Sequence, residues 1–113
     1  MKRKEIRVRC WVDVDGERFF GPGPAELLRL IDATGSISQA ARAMGMSYRK
    51  AWDIVDNVNT RGRKAFVIAH KGGQRGGGAQ LTDNGRKALA AYEKLARKIE
   101  RIARAEKTLL RLI

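Results

Sequence analysis

The sequence contains few of the residues on which disulfides and membrane spans depend. Its 113 residues include one cysteine, Cys10, so no internal disulfide can form, and the chain fits a reducing compartment. We interpret Cys10, at an apolar position of a predicted strand, as a core filler. No apolar run approaches the roughly 20 residues that a membrane span requires, and the basic start lacks the apolar centre of a signal peptide. We therefore expect a single cytoplasmic domain with no membrane partner.

Residues for catalysis or cofactor binding are equally scarce. His70 is the only histidine, and the sequence has no cluster of cysteine and histidine residues with metal-ligand spacing. The glycine-rich stretch 71–78 has neither the glycine spacing nor the Lys-Ser/Thr of a nucleotide-binding loop. We do not interpret Asp53 and Asp56, which share one predicted helix face, as an acid/base pair. The sequence therefore predicts no enzyme activity, no metal and no cofactor.

Positive charge, in contrast, is in large excess and unevenly placed. The chain has 24 Lys and Arg against 12 Asp and Glu, a net charge of +12, with a pI of about 10.7. Residues 61–78 contain five basic residues and no acidic ones, and residues 79–113 contain nine basic against four acidic. This balance favours a polyanionic partner, either nucleic acid or an anionic membrane surface.

The stretch GSISQAARAMGMSYRKAWDIVDNVN, residues 35–59, is typical of two short helices joined by a tight turn. The first helix is predicted over residues 37–44, with Ser36 or Ser38 as its cap and Gly45 at its end. The second is predicted over residues 48–59, with Ser47 as its N-cap.

The second helix has an apolar side and a polar side. At about 100° per residue, its polar side presents Arg49, Lys50, Asp53, Asp56, Asn57 and Thr60. Such a helix, preceded by a compact helix of small residues, suits the major groove of DNA, which makes this stretch a helix-turn-helix candidate. Two amphipathic helices around a glycine also occur in α domains that never bind DNA, so the flanking sequence has to decide.

The segments before this unit predict a β-hairpin and one more helix. Residues 6–14 alternate between apolar and polar, Asp15-Gly16 is a favoured pair for a type I′ turn, and residues 17–20 return. Pro24 is well placed at the first position of a helix over residues 25–34, which ends at Gly35.

The segment after the unit predicts a basic β-hairpin, or wing. Two short apolar runs, residues 65–69 and 79–81, flank the stretch HKGGQRGGG. Glycine lets the backbone approach phosphates closely, and Lys71 and Arg75 can pair with them. A surface loop rich in glycine is the alternative, but the position directly after a recognition helix favours the wing.

A long helix is predicted from residue 83 to about residue 104, and on to the end of the chain, with Thr82 as its N-cap. Helical throughout, it would measure about 45 Å, which is longer than so small a core can cover. Its apolar stripe therefore predicts a coiled-coil-like homodimer. The residues expected in the dimer contact are Leu89, Tyr92, Leu95, Ile99 and Ile102.

The order of these elements predicts an α+β, mainly α fold, a winged helix-turn-helix with an N-terminal β-hairpin and a long C-terminal dimerisation helix. We expect residues 1–82 to form the DNA-binding domain and residues 83–113 to form the dimerisation helix of the same structural unit. Base readout is expected from α-helical residues and phosphate contact from the basic residues after them. The expected DNA-binding residues are Ser36, Ser38, Ser47, Tyr48, Arg49, Lys50, Asp53, Asn57, Arg61, Arg63, Lys64, Lys71 and Arg75.

The same residues resemble a known family. GPGPAELLRLIDATGSISQAARAMGMSYRKAWDIVDNVN and KGGQRGGGAQLTDNGRKAL are similar to the N-terminal DNA-binding domain of ModE-type, molybdate-responsive transcription regulators. The similarity covers nearly the whole chain and is most specific at GSIS-AA, at G-MSYRKAW and at the wing that ends in LT–GR. It implies a winged-helix dimer on a palindromic operator, with residues 47–50 at the start of the recognition helix and residues 71–78 in the wing.

The resemblance has one large departure. Full-length members continue into a C-terminal oxyanion-binding domain, and no remaining stretch of this sequence is long enough to form one. We therefore expect no molybdate site within this chain. Two other functions stay open: an architectural, weakly specific double-stranded DNA-binding protein, and a dimerisation or interaction module that partners a separate sensor chain.

Overall fold

The chain folds into the predicted α+β, mainly helical arrangement of the winged-helix kind. The structure is a computed structural model that describes residues 2–70 and 78–113. None of the helices in these ranges combines the length and the apolar character needed to cross a lipid bilayer. The elements follow in the order β1 (Val12–Val14), β2 (Glu17–Phe20), α1 (Pro22–Thr34), α2 (Ile37–Met44), α3 (Tyr48–Arg61), β3 (Val67–His70), β4 (Gly78–Leu81), α4 (Asp83–Ala105) and α5 (Thr108–Arg111).

The N-terminal hairpin is shorter than predicted. Its turn is confirmed, because Asp15 and Gly16 have φ values of 52° and 78°, both positive as a type I′ turn requires. The predicted strand over residues 6–14 was wrong in length, since only β1 pairs with β2. β2 ends at Phe20 because Gly21 already caps α1, and the residues before β1 therefore have no further strand of the hairpin to pair with.

α1 begins three residues earlier than predicted, at Pro22 instead of Ala25. Both prolines, Pro22 and Pro24, fit in its first turn, where backbone N–H groups have no helical partner and a missing one costs little. The helix ends before Gly35, as predicted. The Gly35 carbonyl accepts a hydrogen bond from the backbone N–H of Ala79 at 2.9 Å, which ties the end of α1 to β4.

α2 and α3 form the predicted helix-turn-helix. α2 has the predicted bounds, and its N-cap Ser36 accepts a hydrogen bond from a backbone N–H three residues on at 3.1 Å. Ser47 caps α3 by accepting a hydrogen bond from the backbone N–H of Lys50 at 3.0 Å. α3 continues to Arg61, two residues beyond the prediction.

The hydrophobic core lies where the first three helices meet the two hairpins. The ring of Phe66 stands edge-on to those of Phe19 and Phe20, with centroids 5.9 Å apart in both pairs. Burial of a large apolar side chain stabilises a fold by roughly 1.5–3 kcal/mol, so this core holds α2 and α3 at a fixed angle. The largest fully buried side chains are Leu27, Leu28, Ile31, Val55, Val58 and Leu81.

β3 and β4 form the base of the predicted wing. They pair antiparallel, with Val67 opposite Leu81 and His70 opposite Gly78, one or two residues away from the predicted strand limits. The predicted phosphate contacts Lys71 and Arg75 lie outside the described residues.

α4 is the longest element, and it ends before the chain does. Thr82 caps it as predicted by accepting a hydrogen bond from the backbone N–H of Gly85 at 2.9 Å. The helix stops at Ala105 and measures about 35 Å, instead of the predicted length of about 45 Å, and the single turn α5 follows.

Two polar contacts fix the middle of α4 to the body of the domain. The Glu93 carboxylate pairs with the Arg29 guanidinium of α1 at 2.8 Å. The Tyr92 hydroxyl donates a hydrogen bond to the backbone carbonyl of Cys10 at 2.8 Å. Burial raises the pKa of Tyr92 and the nearby half-buried Cys10 thiol raises it further, so the hydroxyl keeps its proton and remains a donor.

Gly85 lets α4 lie directly against the segment before β3, because a Cβ at this position would overlap the backbone carbonyl of Phe66. Gly85→Ala is therefore expected to lower the free energy of unfolding by about 1–3 kcal/mol in urea denaturation, since the backbone on one side has to move. Gly23→Ala in α1 is the control, because a Cβ there meets no atom within 4 Å. The control should keep or gain stability. Equal stability of Gly85→Ala and the wild type would contradict the close approach.

Candidate nucleic-acid interface

The solvent-facing side of α3 carries the residues predicted to read bases. Arg49, Lys50 and Asp53 are exposed, and Asn57 is half-buried. The opposite side of the helix is packed into the core, so these polar side chains project from a rigid support. The buried residues of α3 are Ala51, Val55 and Val58.

The N-terminal hairpin lies beside this polar face. Lys50, Asp53 and Asn57 line a groove of about 470 Å³ together with Trp11 and Arg18 from the hairpin. The Arg18 guanidinium lies over the Trp11 ring, 4.6 Å from its centroid. The sequence did not indicate Arg18 as part of the site, because its position depends on how the hairpin packs against α3.

Arg61 is held by the protein instead of pointing into solvent. Its guanidinium donates hydrogen bonds to the backbone carbonyls of Val14 at 2.8 Å and Arg18 at 3.0 Å, and to the Asn57 side chain at 3.1 Å. Arg61 thereby ties the end of α3 to both strands of the hairpin. The structure gives it an architectural role in place of the predicted phosphate contact.

Arg63 and Lys64 follow α3 and are both exposed. The backbone around them is fixed, since the Lys64 carbonyl accepts a hydrogen bond from the Asn84 side chain at 3.2 Å. Both side chains therefore extend from an ordered connection between the recognition helix and the wing, and both stay predicted phosphate contacts.

Asn59 joins α3 to the wing, a role that the sequence pattern did not indicate. Its side-chain oxygen accepts hydrogen bonds from the backbone N–H groups of Phe66 at 2.8 Å and Val67 at 3.0 Å, and its amide donates to the Val67 carbonyl at 2.9 Å. Asn59 is a positioning residue, because it sets the start of β3 relative to α3. The available signal was an asparagine near a helix end, where its side chain readily bonds backbone groups.

The three predicted serine contacts lie at the starts of α2 and α3. Ser36 and Ser47 are the N-caps, and Ser38 is exposed with its hydroxyl oxygen 3.1 Å from that of Ser36. Helix N-termini attract anionic groups, so all three serines stay predicted phosphate contacts. Tyr48, the first residue of α3, has 55% of its surface exposed.

The acidic residues of α3 stand apart from other charged groups. Within residues 2–70 and 78–113, no group of three or more histidine, cysteine, aspartate or glutamate side chains is placed to hold a metal ion. No ion pair between described side chains includes Asp53 or Asp56. Asp53 is thus presented as an exposed acceptor beside Lys50 and Asn57.

The structure divides the predicted dimer stripe of α4 into two parts. Leu89 is only 7% exposed and belongs to the core, and Tyr92 packs against the body of the same chain, with its ring 5.2 Å from that of Phe20. The predicted stripe was therefore too long at its N-terminal end. Leu95 and Ile102 are 43% and 74% exposed. Ile99 lies between the two parts, half-buried beside the N-terminal segment.

Relatives of known name share the sequence that builds this face. Molybdenum transport protein ModE of Azotobacter vinelandii is 44% identical over 95 residues, which are 84% of this chain and 35% of that protein. Transcriptional regulator ModE of Yersinia pestis is 42% identical over 78 residues, which are 69% of this chain and 30% of the relative. DNA-binding transcriptional dual regulator ModE of Escherichia coli (strain K12) is 40% identical over the same shares. The chain carries a ModE-type N-terminal domain.

The ModE-type resemblance predicted from the helix-turn-helix and wing sequences is thereby confirmed. The chain spans about a third of the length of the curated relatives that it matches. No protein-family model matches the chain. None of the three relatives is named as an enzyme.

Proposed function

We propose that this chain is a transcription regulator that binds double-stranded DNA in a sequence-specific manner. The observation that carries the proposal is the rigidly packed helix-turn-helix whose free face presents Arg49, Lys50 and Asp53. Two ModE-type relatives at 40% and 42% identity are named as transcriptional regulators, which supports it. The net charge of +12 adds attraction to phosphates.

α3 is the recognition helix of this proposal and enters the major groove with its N-terminal turns. There Arg49 and Lys50 suit the acceptor edge of guanine, Asn57 suits adenine, and Asp53 can accept from the amino group of cytosine. α2 crosses the backbone, with its serines at a phosphate. Arg18 of the hairpin, which shares a groove with Lys50, extends the basic surface beyond the predicted residues.

The phosphate contacts yield a test that separates Arg61 from its neighbours. Arg63→Ala is expected to weaken binding to all duplexes and to reduce the slope of log affinity against log salt concentration by about 0.9, because one counterion-releasing contact is lost. Arg61→Ala is expected to lower the free energy of unfolding while the salt slope stays unchanged, since its guanidinium bonds the hairpin. Anisotropy titrations at several salt concentrations and urea denaturation measure the two quantities. A lower slope in Arg61→Ala would return Arg61 to the phosphate contacts.

The proposed regulator is a homodimer joined through α4, with residues 1–82 as its DNA-binding part and residues 83–113 as its dimerisation part. The exposed Leu95 and Ile102 lie seven residues apart and therefore on one face of the helix. Covering that face with the same face of a second chain would remove both side chains from water. Two joined domains can reach half-sites about one helical turn apart, or a multiple of that.

The rival function is an architectural, weakly specific DNA-binding protein, which the excess of positive charge favours. The two functions differ in how discrimination responds to salt. The regulator should bind a selected site at least about 10³-fold more tightly than a shuffled duplex of the same composition at physiological salt. A ratio that stays near one at every salt concentration, with a steep salt slope, would replace the regulator with the architectural protein.

A further inference from the structure

Tyr48 is an exposed aromatic ring at the start of α3. More than half of its surface faces solvent, whereas Trp52 and Ile54 on the same helix are half-buried. An aromatic ring carries a large apolar area whose burial is favourable, and at the first helical residue it stands where a recognition helix meets base edges. Its neighbours Arg49 and Lys50 supply charge but no comparable apolar surface.

The Tyr48 ring is supported from behind by Trp52, one helical turn further on. The two ring centroids are 6.2 Å apart and the planes are inclined by 79°, an edge-to-face arrangement. The pair borders a groove of about 370 Å³ that Ile37, Ala69 and Ala79 also line. The ring is thus held in one orientation beside an apolar surface formed by α2 and the base of the wing.

The major groove offers an apolar partner at one ordinary base only, which is the 5-methyl group of thymine. We infer that Tyr48, held by Trp52, contacts the methyl group of one thymine in each half-site and selects thymine at that position. The inference rests on the proposed function, because it requires α3 to lie in the major groove. Tyr48 is a specificity residue in this account, and Trp52 is a positioning residue.

Replacing single thymines by deoxyuridine tests the contact directly, because the change removes only the methyl group and leaves base pairing intact. The probe is a duplex carrying the site enriched from random DNA, with one thymine replaced at a time. We expect the affinity of the wild-type protein to fall about four-fold at one thymine per half-site, as for the loss of one buried methylene-sized group. Other thymines should be replaceable without effect.

Two variants separate the ring from its hydroxyl. Tyr48→Phe should keep the difference between thymine and deoxyuridine, because the ring makes the contact. Tyr48→Ala should bind the two duplexes equally, and it should unfold at the same temperature as the wild type because the ring it removes is largely exposed.

The possible outcomes distinguish the inference from the proposed function. Tolerance of every single replacement by a protein that still binds the site specifically would overturn the inference and leave the function standing. An unchanged four-fold difference in Tyr48→Ala would assign the methyl contact to another residue and overturn the role of Tyr48. A uniform loss of affinity in Tyr48→Phe, with no methyl effect, would make Tyr48 a phosphate ligand through its hydroxyl. Failure of any sequence to be enriched would overturn the function and the inference together.

Discussion

The double substitution Leu95→Glu, Ile102→Glu is expected to convert the proposed dimer into monomers and to lower affinity for a two-fold-symmetric operator about 100-fold or more. Joining two DNA-binding domains makes the second binding event intramolecular, which raises overall affinity by roughly 10²–10⁴ without any new contact. Because Leu95 and Ile102 are 43% and 74% exposed in one chain, the change should leave the monomer folded. In the dimer it places unpaired charges in an apolar seam.

Sedimentation equilibrium at micromolar concentration and binding to full-site and half-site duplexes measure this effect. The matched control is Ala90→Glu, Arg97→Gln, which changes the net charge equally at two exposed positions. These lie roughly 140–160° around α4 from Leu95 at about 100° per residue. The control should remain dimeric, and the affinity of the seam variant for a single half-site should change no more than that of the control. A monomeric wild type, or a seam variant that is still dimeric, would contradict dimerisation through this face.

Arg49→Ala is expected to remove discrimination at one base step and to cost about 1–3 kcal/mol there. Arg49 is the second residue of α3 and is exposed, so its guanidinium can reach a base edge from the first turn of the helix. Two parallel hydrogen bonds to guanine are the geometry that arginine supplies best. The loss should therefore be large for the preferred base and small for the other three.

Binding to a set of duplexes that differ at one position at a time measures the Arg49→Ala effect. Lys64→Ala is the comparison, since a residue that meets phosphate should weaken all duplexes by the same factor and leave the base preference intact. A preference profile of Arg49→Ala that can be superimposed on that of the wild type would move Arg49 to the phosphate contacts.

Local signals made the centre of this fold predictable. The bounds of α2 follow from Ser36 and Gly45, which favour a helix start and a helix end by their own backbone and side-chain chemistry. The Asp15-Gly16 turn is equally local, because both residues accept positive φ. At such positions the sequence determines the structure within a few residues, and the predictions there are confirmed.

Tertiary contacts decided the features that the sequence could not show. Arg61 bonds carbonyls more than 40 positions away in sequence, so its removal from the phosphate contacts depends on how the hairpin folds onto α3. The residues before β1 alternate like a strand, yet β2 is too short to pair with them. Along α4, periodicity placed Leu89 and Leu95 on one stripe, and only the packed structure shows that the core ends between them.

The central claim is that this chain reads a DNA sequence as a symmetric pair of helix-turn-helix units, and selection of bound duplexes from random DNA tests it most directly. The proposal predicts an enriched motif made of two inverted half-sites whose centres lie about one helical turn, roughly 10–10.5 base pairs, or a multiple of that apart. The purified full chain at physiological salt is the material for this selection. Enrichment of no motif, or of a single half-site without a symmetry-related copy, would contradict the claim.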